Sequence, residues 1–230
     1  MRRVLAILAA GSATRAGLDK VLADLGGQPV IAWSLAAGMS ARCFDEIVVV
    51  APADKLGAVA DAVRGRAPGA RIVAGGGTRT ASSWAALDAV PDADVIAVHD
   101  AARPFVPPSL FARCVDIALA EGSAVAGLPL ADTVRRADEA GAATEEVSRD
   151  GLWSAQTPQV FRRELLARAR AAAGERSFGD DAAALVAAGL VPRMVLGERR
   201  NLKITTFEDL AYARELVAKG LAGFPALQVP

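Results

Sequence analysis

Val4-Leu5-Ala6-Ile7-Leu8-Ala9-Ala10 runs directly into Gly11-Ser12-Ala13-Thr14-Arg15-Ala16-Gly17-Leu18-Asp19-Lys20. The first part is apolar without alternation, which reads as a strand buried on both faces, the kind a parallel sheet requires. It empties into a loop of small side chains that carries two cations, Arg15 and Lys20. Small residues let backbone N–H groups approach an oxyanion, and the cations supply charge that peptide dipoles lack. The loop is read as a polyphosphate cradle, against the plainer alternative of two solvated surface cations. It fits neither common template. A dinucleotide fingerprint needs glycine where Ala13 and Ala16 stand, and a Walker loop needs Gly-Lys-Ser/Thr where the chain has Ala16-Gly17-Leu18.

Outward from this stretch the same signature recurs. Apolar, β-branched runs at 47–51, 71–74, 95–98, 124–128 and 194–196 alternate with Ala- and Leu-rich stretches of helical length at 30–39, 53–64, 80–90 and 109–120. Further helices are expected at 162–173, 180–188 and 207–219. This is the pattern of βαβ units around a parallel sheet, whose right-handed crossovers gather the strand C-terminal ends, and hence the ligand sites, on one edge. One segment breaks the pattern. Residues 132–136 and 144–149 are polar and strand-like around Asp138-Glu139-Ala140-Gly141. A hairpin with so little apolar surface is marginal alone and should lean on something, such as another subunit. The chain reads as one compact domain, 1–230, with an arm at about 131–150.

Composition bounds the function. The 230 residues are 53% hydrophobic with a formal net charge of zero, so nothing suggests nucleic-acid binding, and any positive site must be local. No stretch is long and apolar enough for a membrane span. Met1-Arg2-Arg3 and the apolar run superficially mimic a secretory leader, but a first buried strand explains them better. Cys43 and Cys114 lie far apart, with no metal or disulfide spacing, and fit a reducing compartment, the cytoplasm.

Two more loops carry candidate chemistry. In Gly75-Gly76-Gly77-Thr78-Arg79-Thr80-Ala81-Ser82, the glycines suit close approach to a flat group such as a base, and Ser82 offers a hydroxyl. The alternative is a tight turn capped by Thr78 or Thr80. In His99-Asp100-Ala101-Ala102-Arg103-Pro104, a carboxylate at a strand end suits Mg²⁺ held against phosphates. His99 is read as structural, and Arg103 could brace the loop or touch ligand. His99 is the only histidine and no nucleophile elbow is present, so a reaction needing no protein base fits best. Attack of a phosphate on a nucleotide α-phosphorus is such a reaction, since the nucleophile is already anionic. Arg135, Arg136 and Arg149 could equally pair with Glu145 and Glu146, and Trp153 and Pro158 read as core or turn residues.

The chain resembles the 2-C-methyl-D-erythritol 4-phosphate cytidylyltransferases nearly end to end. The resemblance rests on Ala9-Ala10-Gly11 with Arg15 and Lys20, Gly75-Gly76 with Arg79 and Ser82, and His99 through Pro104. It continues through Asp132-Thr133, Arg149 through Trp153, Thr157-Pro158-Gln159 and Asn201-Leu202-Lys203. It implies a GT-A-like, Rossmann-like nucleotidyltransferase fold with a mostly parallel central sheet and a protruding β-arm. It also implies a homodimer built through that arm and CTP, Mg²⁺ and a sugar-alcohol phosphate as ligands. By the same resemblance Arg15, Lys20, Arg149 and Lys203 are catalytic. Ala9, Ala10, Gly11, Gly75, Gly76, Ser82 and Asp100 bind the nucleotide, with Asp100 also at the metal. Arg103, Thr133, Arg149, Thr157 and Lys203 bind the acceptor. The alternatives are the same chemistry on ribitol 5-phosphate, or a nucleotide-sensing domain without catalysis. Three positions depart from the family pattern: Asp19 where proline is usual, Ala13 where glycine is common, and Gly179 where threonine usually opens the acidic motif.

Overall fold

The structure, a computed structural model, describes residues 1–10 and 19–222. The chain runs β1 (Arg3–Leu8), α1 (Val30–Ser40), β2 (Glu46–Ala51), a 3₁₀ turn (Ala53–Lys55), α2 (Leu56–Arg64), β3 (Arg71–Ala74), α3 (Arg79–Ala89), β4 (Val95–Asp100), α4 (Pro108–Glu121) and β5 (Ser123–Pro129). It continues through β6 (Val134–Ala137), β7 (Ala143–Val147), β8 (Trp153–Arg162), α5 (Arg163–Ala173), α6 (Asp181–Ala187), β9 (Met194–Leu196) and α7 (Phe207–Ala218). Among the described residues no helix is long and apolar enough to cross a membrane.

The main sheet has the order β3-β2-β1-β4-β8-β5-β9. Strands β1 to β4 are mutually parallel, and β5 pairs in parallel with β9. The order turns back on itself between β1 and β4, and in open α/β sheets ligands bind at such a reversal, beyond the carboxyl ends of the two strands. Strand β8 corrects the sequence reading. It runs antiparallel between β4 and β5, where the sequence suggested only core or turn residues. Its Ser154, Gln156, Thr157 and Gln159 dilute the apolar signal, and proline in a central strand removes a ladder donor. The sheet accommodates Pro158 with an irregularity: the β5–β8 register jumps between Val125 and Gly127, opposite residues 155 to 159.

Strict alternation sorts the core into two layers. Leu5 and Ile7 of β1 and Val95 and Ala97 of β4 face α1, α2 and α4, with Ile31, Leu35, Val63, Leu110 and Phe111. Val4, Ala6 and Leu8, with Ile96 and Val98, face α3, α5 and α6, with Leu87, Leu166 and Leu185. Helix α1 lies close over β1, because a methyl group on Gly38 would collide with Leu5. Helix α4 stops at Gly122, whose φ of +92° is the left-handed conformation that a C-terminal cap demands. Residues 134–137 and 143–147 form a separate two-stranded antiparallel sheet, exposed along most of its length. Arg135 pairs with Glu146 and Arg136 with Glu145 across it.

Candidate active site

The alternation that builds the core also decides what His99 and Asp100 can do. His99, like Val95 and Ala97, turns toward the α1–α4 layer, where it is fully buried with its ring 5.1 Å from that of Phe111. Asp100 turns to the opposite side, toward α3. The register sets it beside Leu8, at the switch point between β1 and β4.

Around the Asp100 carboxylate stand three cations. Lys203 Nζ lies 2.7 Å from Oδ2, Arg103 Nε 3.9 Å from the same oxygen, and Arg79 Nε 3.4 Å from Oδ1. They come from three parts of the chain: the β9–α7 segment, the loop after β4 and the first turn of α3. Burial alone would raise the Asp100 carboxyl. Lys203 first, then Arg79 and Arg103, outweigh it and hold the group well below the ordinary carboxylate range, so it stays ionised. Burial would likewise lower the Arg79 guanidinium, but Asp181 and then Asp100 reverse that and raise it. For Arg103 burial wins, and its guanidinium is pushed down.

Each of these groups is braced. The Thr157 hydroxyl accepts from the Asp100 backbone N–H at 3.0 Å and lies 3.0 Å from His99 Nδ1. His99 Nε2 faces the Arg103 carbonyl at 3.3 Å. A carbonyl only accepts, so Nε2 carries the proton and the Thr157 hydroxyl donates to Nδ1. Burial lowers the His99 pKa to about 4, and the imidazole is neutral near pH 7. The structural reading of His99 holds. Arg103 donates to the Asn201 carbonyl at 2.7 Å, and Asn201 Nδ2 donates to the Thr157 carbonyl at 2.7 Å. Ile204, fully buried, donates its N–H to the Ala102 carbonyl. A Thr206–Asp209 capping box then starts α7. Lys203 therefore sits between two buried anchors, Asn201 and Ile204.

On the other side of β1 lies the glycine loop. Ala9 N–H extends the β1–β2 pairing to the Val50 carbonyl. A Cβ built on Gly75 would come within 2.8 Å of both the Ala10 Cβ and the Ser82 Oγ, so these three candidate residues meet at one point. Gly76 packs as closely on Ala81. Thr78 caps α3 by accepting from Ala81 N–H, and Ser82 donates to the Thr78 carbonyl at 2.9 Å. The turn is therefore capped by Thr78, and its glycines pack tightly on Ala10, Ser82 and Ala81. Thr80 has another task, since its hydroxyl accepts from Phe178 N–H at 2.8 Å and latches the segment before α6. Arg79, three residues before Ser82 on the same helix, joins this loop to the Asp100 cluster.

Not every candidate enters this cluster. Gly11 and Arg15 lie outside the described residues. Lys20 is half-buried, at a turn that Leu22 N–H closes on the Asp19 carbonyl, and Asp19 pairs with Lys55 at 2.7 Å. Thr133 and Arg149 are exposed beside the two-stranded sheet, and Arg149 donates to the Ala131 carbonyl. Arg149 thus differs from Arg135 and Arg136, which are spent on the hairpin's own glutamates. Sequence reasoning assigned no contact to two contributors. Asp181 is 2% exposed and its carboxylate lies 2.9 Å from Arg79 Nη2. Gln159 accepts from Asp181 and Ala182 N–H with Oε1 and donates to Asp180 with Nε2. In the sequence only the acidic pair and the Thr157-Pro158-Gln159 motif marked this region.

An open α/β sheet with a close-packed glycine turn and a carboxylate ringed by cations at its switch point has the layout of a nucleotide-binding protein, and similarity to known proteins makes the class a nucleotidyltransferase. A profile of the IspD family, 2-C-methyl-D-erythritol 4-phosphate cytidylyltransferase, matches residues 4–219. The chain is 44% identical to the enzyme of that name from Deinococcus radiodurans, over 91% of this chain and 87% of that one. It is 42% identical to a bifunctional IspD/IspF enzyme of an Anaeromyxobacter species, covering 96% of this chain but 58% of that longer protein. The crystal structure of 2-C-methyl-D-erythritol 4-phosphate cytidylyltransferase from Thermus thermophilus superposes with a TM-score of 0.76 at 34% identity, over 94% of this chain and 98% of that one. The chain belongs to the 2-C-methyl-D-erythritol 4-phosphate cytidylyltransferase family.

Proposed function

We propose that this chain transfers the cytidylyl group of CTP to 2-C-methyl-D-erythritol 4-phosphate and releases pyrophosphate. The observation that carries the reading is the ring of Lys203, Arg103 and Arg79 around one ionised carboxylate at the β1–β4 switch point. The chemistry needs two mutually repelling anions held together, and fixed cations in a partly dry cleft do this without reorganising. No protein base is required, since the acceptor phosphate is itself the nucleophile.

In this reading the loop of Ala9, Ala10 and Gly11 meets the triphosphate, and Gly75, Gly76 and Ser82 take the cytidine. Arg15 and Lys20 stabilise the charge that grows at the α-phosphorus. Lys203, with Arg103, draws the acceptor phosphate toward the strand end. Thr157 supports that site from behind, through the Asp100 N–H and His99. Thr133 and Arg149, exposed on the polar hairpin, reach the acceptor site of a partner subunit in a homodimer.

The residues present fit a divalent cation. Among the described residues no cluster of three or more His, Cys, Asp or Glu side chains could hold a metal alone. A single ionised carboxylate at the cleft is nonetheless what Mg²⁺ uses when substrate phosphates supply most of its oxygens. Asp100 would be that ligand, and bound Mg²⁺ would neutralise triphosphate charge. The test is pyrophosphate release from CTP with a panel of phosphorylated polyols. Rapid release with methylerythritol phosphate and little with ribitol 5-phosphate is expected. The opposite order would reassign the acceptor, and CTP binding without release from any acceptor would overturn catalysis.

A further inference from the structure

Asp100 is held unevenly. Its Oδ2 takes Lys203 at 2.7 Å, with Arg103 at 3.9 Å on the same side. Its Oδ1 has only Arg79 Nε at 3.4 Å among the described residues, long for a charge-assisted hydrogen bond. Arg79 leans the other way, with Nη2 at 2.9 Å from Asp181 Oδ2. The pair is off-line for a hydrogen bond, and both Arg79 Nη atoms and Asp181 Oδ2 lack a hydrogen-bond partner among the described residues. The contact is a Coulombic tether, and among the described residues Asp181 pairs with no other cation.

Asp181 is well fixed. It is 2% exposed, its own N–H donates to Gln159 Oε1 at 3.1 Å, and Gln159 Nε2 holds the neighbouring Asp180 at 2.8 Å. A buried guanidinium that loses one of two carboxylates turns to the other, because an unpaired buried charge is costly. Without the Asp181 charge, Arg79 would close on Asp100 Oδ1, and both carboxylate oxygens would be covered by cations.

We propose that Asp181 is a positioning residue that acts through Arg79, drawing the guanidinium back so that Asp100 Oδ1 stays open to the divalent cation carried by the triphosphate. The inference rests on the reading of Asp100 as the metal-binding carboxylate. Asp181 itself touches neither metal nor substrate.

The test is Mn²⁺ binding, followed by electron paramagnetic resonance, in the presence of α,β-methylene-CTP, which binds without turnover. Asp181→Asn keeps the shape and removes the charge, and should weaken Mn²⁺ binding about tenfold, the scale of outer-shell effects on metal sites. Arg79→Met/Asp181→Asn removes tether and tethered together, and should return the affinity to within about twofold of wild type, since coupled residues are not additive. An unchanged affinity in Asp181→Asn, or a double variant as weak as the single, would overturn the proposal. Should the single variant fail to fold, the double variant decides alone: near wild-type affinity supports the tether and a tenfold loss refutes it. Wild-type protein that binds no Mn²⁺ with the analogue would instead overturn the reading of Asp100 on which the proposal rests.

Discussion

The burial of a neutral His99 should make the protein acid-sensitive. Its pKa is lowered to about 4 by burial, while an unfolded histidine titrates near ~6.5. A depressed histidine contributes stability that is fully present above the unfolded value and is lost as pH falls toward the folded one. The gap of roughly 2.5 units corresponds to about 3 kcal/mol in full, of which about 2 kcal/mol should disappear between pH 7 and pH 5. The chain has one histidine, the side-chain type whose ordinary pKa, near ~6.5, falls between pH 5 and pH 7. Urea unfolding at the two pH values, on wild type and on His99→Gln, measures the effect. A glutamine can keep an acceptor toward Thr157 and a donor toward the Arg103 carbonyl, but it cannot titrate. The wild-type free energy should fall by about 2 kcal/mol from pH 7 to pH 5 and that of the variant by well under half as much. Equal losses in the two proteins would refute the assignment of a buried, neutral His99 and reopen it as a proton carrier.

Three further outcomes follow from the same geometry. Thr157→Val keeps the shape but orphans His99 Nδ1 and the Asp100 N–H, and should cost about 2–4 kcal/mol in urea unfolding; a loss near zero would mean that water replaces the hydroxyl. Gly75→Ala drives a methyl group against Ala10 and Ser82 and should destabilise by about 1–3 kcal/mol while weakening CTP binding by calorimetry; unaltered CTP affinity would separate this turn from the nucleotide. Gly179 has open space where a Cβ would stand, so Gly179→Thr should change stability by less than about 0.5 kcal/mol and lower the KM for the acceptor phosphate; a raised KM would show that the departure from the family pattern suits this chain.

What could be read from the sequence was whatever depends on neighbours along the chain. The unbroken run from Val4 to Ala10 announced a buried parallel strand, and the alternation of runs and helical stretches announced the crossovers. The polar hairpin was legible because Arg135, Arg136, Glu145 and Glu146 leave it no apolar face. The structure adds that adjacent strand residues point to opposite layers, which is what separates His99 from Asp100. What depends on distant pairing was hidden. Strand β8 reads as loop because Pro158 and its polar neighbours belong to it for the sake of the site: Thr157 braces Asp100 and Gln159 fixes α6. Asp181 meets Arg79 only after α6 packs beside α3, and no local pattern encodes that contact. Arg103, open between bracing and binding, does the first through Asn201 and stands close enough to Asp100 for the second.

The central claim is that two anions meet at the β1–β4 edge and exchange phosphorus directly, with no group on the protein attached in between. Transfer from CTP made chiral by sulfur at the α-phosphorus tests this most directly, through the configuration of the diphosphocytidyl product. A single in-line displacement by the acceptor phosphate predicts inversion at that phosphorus. Retention would reveal a covalent protein intermediate and contradict the account.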